Sequence, residues 1–204
     1  MSYANTYAAW RNDPEAFWMG AAQQIAWDRA PTKALFAENA PMYEWFSDGL
    51  VNTCYNAVDR HVDAGRGDQP AIIYDSPVTG SQRTLTYSQL RDEVAGFAGG
   101  LAAQGVGKGD RVLIYMPMVA EAIVAMLACG RIGAIHSVVF GGFAAHELAV
   151  RIDDAQPKCI VAASCGIEGS KTIAYKPLLD TAIDSATHKP ETCVILQREQ
   201  LSCD

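Results

Sequence analysis

Between residues 111 and 196, short unbroken apolar runs alternate with stretches of ten or more residues of helical character. The runs fall at 111–115, 135–140, 158–162 and 192–196, and the helical stretches at 119–131, 144–154 and 176–185. Strands separated by a helix of that length cannot form a tight hairpin; they pair in parallel through a crossover. Runs that are apolar throughout, rather than apolar at every second position, belong to a sheet covered on both faces. This pattern predicts a doubly wound α/β fold, a mostly parallel sheet with helices on both faces and right-handed crossovers.

Upstream the chain is organised differently. Asp63-Ala-Gly-Arg-Gly-Asp-Gln-Pro70 is rich in turn formers, and strands at 71–74 and 83–86 flank a turn-forming stretch at 76–82, which predicts a hairpin. Thr86 with Gln89 fits a capping box. Leu90, Val94, Phe97, Ala98 and Leu101 then recur at helical spacing until Gly105. Trp10, Trp18, Trp27 and Trp45, the only tryptophans, lie in the first 45 residues beside Tyr43 and Phe46. Asp13 as a cap and Pro14 in a first turn predict short helices there. Residues 1–62 are thus read as a mainly helical, aromatic-rich extension that packs on a body formed by 63–204.

Composition removes several function classes. A net charge of −7 and a pI near 5.0 oppose nucleic-acid binding, which needs an excess of Lys and Arg to neutralise phosphates. The amino terminus has no basic start followed by an apolar core, so no export signal is read. The most apolar stretch, 112–139, is broken by Pro117, Glu121, Arg131 and His136, which argues against a membrane span. The six cysteines show no Cys-x2-Cys spacing, and the four histidines are scattered. Free thiols in a reducing cytoplasm and no metal site are expected, with Cys129 and Cys159 as core residues.

Four features invite a chemical reading. Gly105-Val-Gly-Lys-Gly-Asp110 has the glycines and lysine of a phosphate loop, but it follows a helix and precedes a strand, the reverse of the required order, and reads as a helix cap and turn. Phe140-Gly141-Gly142-Phe143 follows a strand and opens a helix, at the end of the sheet where open α/β folds bind ligands. Its two glycines suit either close ligand approach or simply a tight turn. Cys165-Gly-Ile-Glu-Gly-Ser-Lys171 reads as a second glycine-containing loop after a strand, whose lysine is either a phosphate contact or a solvated side chain. His136, among apolar neighbours, reads as a core histidine, and Asp153-Asp154 as a solvated pair. No catalytic nucleophile motif is present.

These residues resemble the short-chain acyl-CoA synthetases of the adenylate-forming superfamily. Leu85-Thr-Tyr-Ser-Gln-Leu90, Gly107-Lys-Gly-Asp-Arg-Val112 and above all 126–143, continuing to Asp154, are similar to that family, as is the aromatic front segment at 43–49 and 52–61. Tyr74-Asp-Ser-Pro-Val-Thr-Gly80 and the stretches 164–168 and 175–180 are more similar to its propionate branch than to its acetate branch. The resemblance implies that residues 63–204 are the first part of an AMP-binding domain, cut before its end. The reaction it implies uses ATP, Mg2+ and CoA. A carboxylate, propionate, attacks the α-phosphate of ATP, and the CoA thiol then displaces AMP. The serine-, threonine- and glycine-rich loop, adenine motif, ribose clamp and catalytic lysine of that reaction do not occur in this chain, so no catalytic residue is assigned and the chain alone is expected to be inactive. By the same resemblance Phe140, Gly141, Gly142, Ser170 and Lys171 would contact the CoA nucleotide, although the acetate enzymes place arginines near this loop where this chain has Glu168 and Lys171. A stand-alone CoA- or nucleotide-binding module and an assembly domain remain as other readings. An apolar sheet face left uncovered would favour association of copies.

Overall fold

A computed structural model describes residues 2–142 and 144–204; Phe143 of the Phe-Gly-Gly-Phe turn lies outside the described residues. The chain forms two compact units, Met1–Asn56 and Ala57–Asp204.

In the first unit, α1 (Tyr3–Asn12) starts at Ser2, whose hydroxyl accepts the Asn5 N–H, and buries no residue. Helix α2 (Pro14–Ala22) starts as the sequence predicts. The Asp13 carboxylate accepts the Ala16 N–H at 2.9 Å, and Pro14 occupies the first turn, where its lack of an N–H costs nothing. The two-residue strands β1 (Leu35–Phe36) and β2 (Glu44–Trp45) pair antiparallel. Rings hold this unit together: Trp18 meets Trp45 edge-on with centroids 5.5 Å apart, and Trp27 lies 5.8 Å from Phe46.

The second unit opens with a π-helical turn (Val62–Arg66) that closes at Gly65, φ +77°. The hairpin β3 (Pro70–Ser76) and β4 (Ser81–Thr86) follows, then α3 (Tyr87–Ala103), opened by the predicted capping box. Thr86 Oγ1 accepts from the Gln89 N–H at 3.3 Å and Gln89 Oε1 from the Thr86 N–H at 2.9 Å. The remaining elements alternate: β5 (Arg111–Met116), α4 (Ala120–Ile132), β6 (Ile135–Phe140), α5 (Ala145–Ala155), β7 (Cys159–Ala163), the hairpin β8 (Cys165–Glu168) and β9 (Lys171–Ala174), α6 (Tyr175–Ser185), and β10 (Thr192–Leu196).

Strands β10, β7, β5 and β6 lie side by side in that order, all parallel. Leu113, Tyr115, Ile160 and Ala162 pack on Leu148 and Ile152 of α5 and Leu179 of α6. Val112 and Ile114, also fully buried, point to the other face, where α3 packs on α4. The doubly wound architecture is therefore present. Cys129 and Cys159 are core residues as predicted, and the Cys129 thiol is pushed up to about 12 by burial. Among the described residues no helix is long and apolar enough to cross a membrane.

Four readings of single segments change. First, His136 is exposed, not core, because β6 is the end strand of the sheet and among the described residues no strand lies beyond it. Second, 165–171 is not a loop but the antiparallel hairpin β8–β9, turning at Gly169, φ +58°. Third, Asp153 is not merely solvated; its carboxylate accepts the His188 N–H at 2.8 Å and ties α5 to the turn before β10. Fourth, α1 had no counterpart in the predicted elements. The glycine-rich 105–110 segment is a helix-to-strand turn, as read. Its own Asp110 carboxylate accepts the Gly107 N–H at 2.8 Å, taking the place an anion would need, and Lys158 Nζ caps the Gly105 carbonyl at 2.7 Å.

Candidate functional site

Helix α4, which follows β5, lies on one face of the sheet, whereas α5, which follows β6, lies on the other. The chain runs from β5 outward to β6 and then back to β7 on the other side of β5, so the topological switch point, where such folds leave a crevice, lies at the carboxyl end of β5, between it and β7. A cleft of about 400 Å³ occupies that place. Residues after β5 (Pro117, Met118) and at the end of β6 (Phe140, Gly141) form its walls, with Glu168 and Arg198 also in the lining.

The glycine pair is shaped by its neighbours. A Cβ on Gly141 would stand 2.7 Å from the Met116 carbonyl oxygen and 2.8 Å from Tyr175 Oη. Gly142 has φ +100°, and a Cβ there would meet Glu168 Oε1 at 2.5 Å. Both glycines are thus required by the turn itself. Beneath them Tyr115 and Tyr175 stack at 4.9 Å, both buried. Burial, with the neighbouring Tyr115 and Glu168, pushes the Tyr175 hydroxyl up to about 12, and burial also raises Tyr115, whose oxygen takes a hydrogen bond from the Gly142 backbone. Both phenols are neutral hydrogen-bonding groups at physiological pH.

Arg198 lies two residues past β10. Its guanidinium donates to the Cys165 carbonyl at 3.0 Å, and its N–H donates to the buried Ser164 hydroxyl at 2.9 Å. A cation is therefore held in the cleft by fixed partners. Of the residues singled out by sequence, Phe140 and Gly141 line the cleft and Gly142 sits beside Glu168. Ser170 and Lys171 lie at the exposed tip of the β8–β9 hairpin, outside the lining, with Lys171 opposite Glu168 in register. Arg198 and Tyr175 were not among the predicted site residues. The carboxyl-end rule could have pointed to Arg198, just beyond a strand, but nothing in sequence marks Tyr175 as the floor of the glycine turn.

Comparison with known proteins fits this arrangement. Residues 58–203 match the model of the AMP-binding enzyme family, and residues 3–57 match the acetyl-coenzyme A synthetase N-terminus. An uncharacterized protein of Pseudomonas aeruginosa is 54% identical over 98% of this chain and 32% of its own length. Human acyl-CoA synthetase short-chain family member 3, mitochondrial, is 49% identical over 98% of this chain and 29% of its own. The propionate–CoA ligase of Escherichia coli is 48% identical over 97% of this chain and 31% of its own. The chain spans about a third of the length of these relatives. It belongs to the AMP-binding enzyme family, with the acetyl-coenzyme A synthetase amino-terminal segment ahead of the family domain.

Proposed function

We propose that this chain is the amino-terminal part of an ATP-dependent short-chain acyl-CoA synthetase that converts propionate, ATP and CoA to propionyl-CoA through an acyl-adenylate. Its own share of the work is part of the CoA site. The observation that carries this reading is the cleft at the switch point of a family sheet, walled by Phe140 and Gly141. Propionate is favoured over acetate by the name of the Escherichia coli relative.

The lining suits CoA in a particular way. Its walls are largely apolar, with one fixed guanidinium and two carboxylates, Asp75 and Glu168, which fits a slender amide-bearing arm better than a triphosphate. Glu168 beside Gly142 disfavours an anion there, so the nucleotide phosphates belong toward the hairpin tip, where Ser170 offers a hydroxyl and Lys171 a charge. ATP and Mg2+ are used by residues beyond this segment, and the chain by itself releases no AMP from ATP, propionate and CoA. The enzyme works in the cytoplasm.

Calorimetric titration with CoA tests the site. Saturable binding is expected, weakened several-fold by Lys171→Ala and by Phe140→Ala. Absence of heat, or equal affinity in all three proteins, would remove these residues from the site. Formation of AMP by the chain alone would overturn its inactivity.

A further inference from the structure

Tyr175 belongs at once to the core beneath the sheet and to the lining of the cleft. Its ring stacks on Tyr115, and only 2% of its surface is exposed. Its hydroxyl lies against the glycines: a Cβ on Gly141 would stand 2.8 Å from it, and one on Gly166 closer still. The chain thus leaves out a side chain at two places where this oxygen sits. The two stacked phenols differ in their partners. The Tyr115 oxygen takes the Gly142 N–H, whereas the Tyr175 hydroxyl has no hydrogen-bond partner among the described residues. A nearly buried hydroxyl left unpaired costs free energy, and burial keeps this one protonated, so that it has a proton to donate.

Charge of both signs surrounds it. Glu168 and Arg198, both in the cleft lining, bear on that hydroxyl with opposite effect. Ser164, fully buried just past β7, positions two of the three groups: its carbonyl accepts the Tyr175 N–H at 3.0 Å, and its hydroxyl accepts the Arg198 N–H at 2.9 Å. A space between a carboxylate and a guanidinium favours neither an anion nor a cation outright, but it does favour a dipole. A secondary amide can turn its carbonyl to Tyr175 and Arg198 and its N–H to Glu168, leaving none of its polar atoms unpaired. We propose that Tyr175 is a ligand-contacting residue whose hydroxyl donates to an amide carbonyl of the CoA arm, with Glu168 and Arg198 setting the direction of that amide. This rests on the reading of the cleft as part of the CoA site, and it assigns Tyr175 to the arm and not to the nucleotide.

Tyr175→Phe tests it, because the substitution removes the hydroxyl and keeps the ring. Calorimetry measures binding of three probes: CoA, pantetheine (the arm without the nucleotide) and the adenosine bisphosphate half of CoA (the nucleotide without the arm). Tyr175→Phe should weaken CoA and pantetheine by a common factor, about three- to tenfold, and leave the adenosine bisphosphate unchanged. Its melting temperature without ligand should not fall, since the group removed had no partner. Lys171→Ala should show the opposite split, weakening the bisphosphate and sparing pantetheine. Unchanged CoA affinity in Tyr175→Phe, or an equal loss for the bisphosphate, overturns the role. Should that variant not fold, the wild-type chain labelled at the tyrosine Cζ is read by nuclear magnetic resonance. Its Tyr175 signal should move with pantetheine and not with the bisphosphate, and an unmoved signal overturns the role as well. If the wild type binds CoA and Tyr175→Phe binds it equally, this inference falls while the proposed function stands. If the wild type binds neither CoA nor pantetheine, both fall.

Discussion

Gly141 leaves no room for a methyl group, since one would press on the Met116 carbonyl and the Tyr175 hydroxyl together. Gly141→Ala should destabilise by about 1–3 kcal/mol, the usual cost of forcing volume into packed surroundings. Gly142→Ala adds the strain of a positive φ, of order 1–3 kcal/mol. Thermal denaturation measures both, and the losses should appear without CoA present. These residues also mark how far sequence could be read. Gly-Gly after a strand located the cleft, but it left close ligand approach and a tight turn undivided, because only the positions of Tyr175 and Glu168 show what a Cβ would meet. Titration belongs to this scale too. The folded pKa values of Cys129 and Tyr175, about 12, lie above the ordinary 9.0 and 10.0 because burial disfavours the charged forms. An unfolded chain loses those protons first, so the stability they contribute is full below pH 9 and lost progressively toward pH 12. The melting temperature should fall across that window, and Cys129→Ala should flatten its lower part.

Elements are fastened by side chains that periodicity does not reveal. Arg131, in the last turn of α4, holds the Asp59 carboxylate with two bonds of 2.8 and 3.0 Å, and Asp59 is mostly shielded from water. Arg131→Met leaves that carboxylate without its fork, at an expected cost of about 1–3 kcal/mol, discounted because the arginine itself is partly solvated. In a cycle with Asp59→Asn the double variant should cost less than the two single losses together. Urea unfolding of the four proteins measures the coupling. The same scale shows why some elements were legible and others not. The capping box of α3 and the Asp13-Pro14 start of α2 are short-range chemistry, and both are present as predicted. The hairpin β8–β9 was read as a loop because Gly169 and Ser170 drew attention as ligand groups, whereas Gly-Ser between Ile167 and Thr172 is also a hairpin turn. His136 was misplaced because an apolar run shows a strand but not its rank in the sheet; an end strand looks like a central one until the order is known.

Across the whole molecule, burial is very unevenly divided. Among the described residues, the buried side chains of the first unit are Ala22, Pro31, Ala34 and Cys54, while the second holds nearly all of β5, the whole of β7 and the helices on both faces. Two alanines, a proline and a cysteine bury little apolar area, and a unit of that size whose cysteine is free lies near the limit of independent folding. The exposed rings of α1, Tyr3 at 82% and Tyr7 at 43%, add little more. Residues 57–204 expressed alone should therefore keep a cooperative thermal transition and the near-ultraviolet circular dichroism of the packed Tyr115–Tyr175 pair. Residues 1–56 alone should show neither, with only the residual helicity that α1 and α2 can support at ten and nine residues. A cooperative melt from 1–56 would mean that its tryptophan and phenylalanine contacts form a core by themselves. Loss of the transition from 57–204 would mean instead that the amino-terminal unit is needed for the sheet to fold, and the domain would have to be drawn through both.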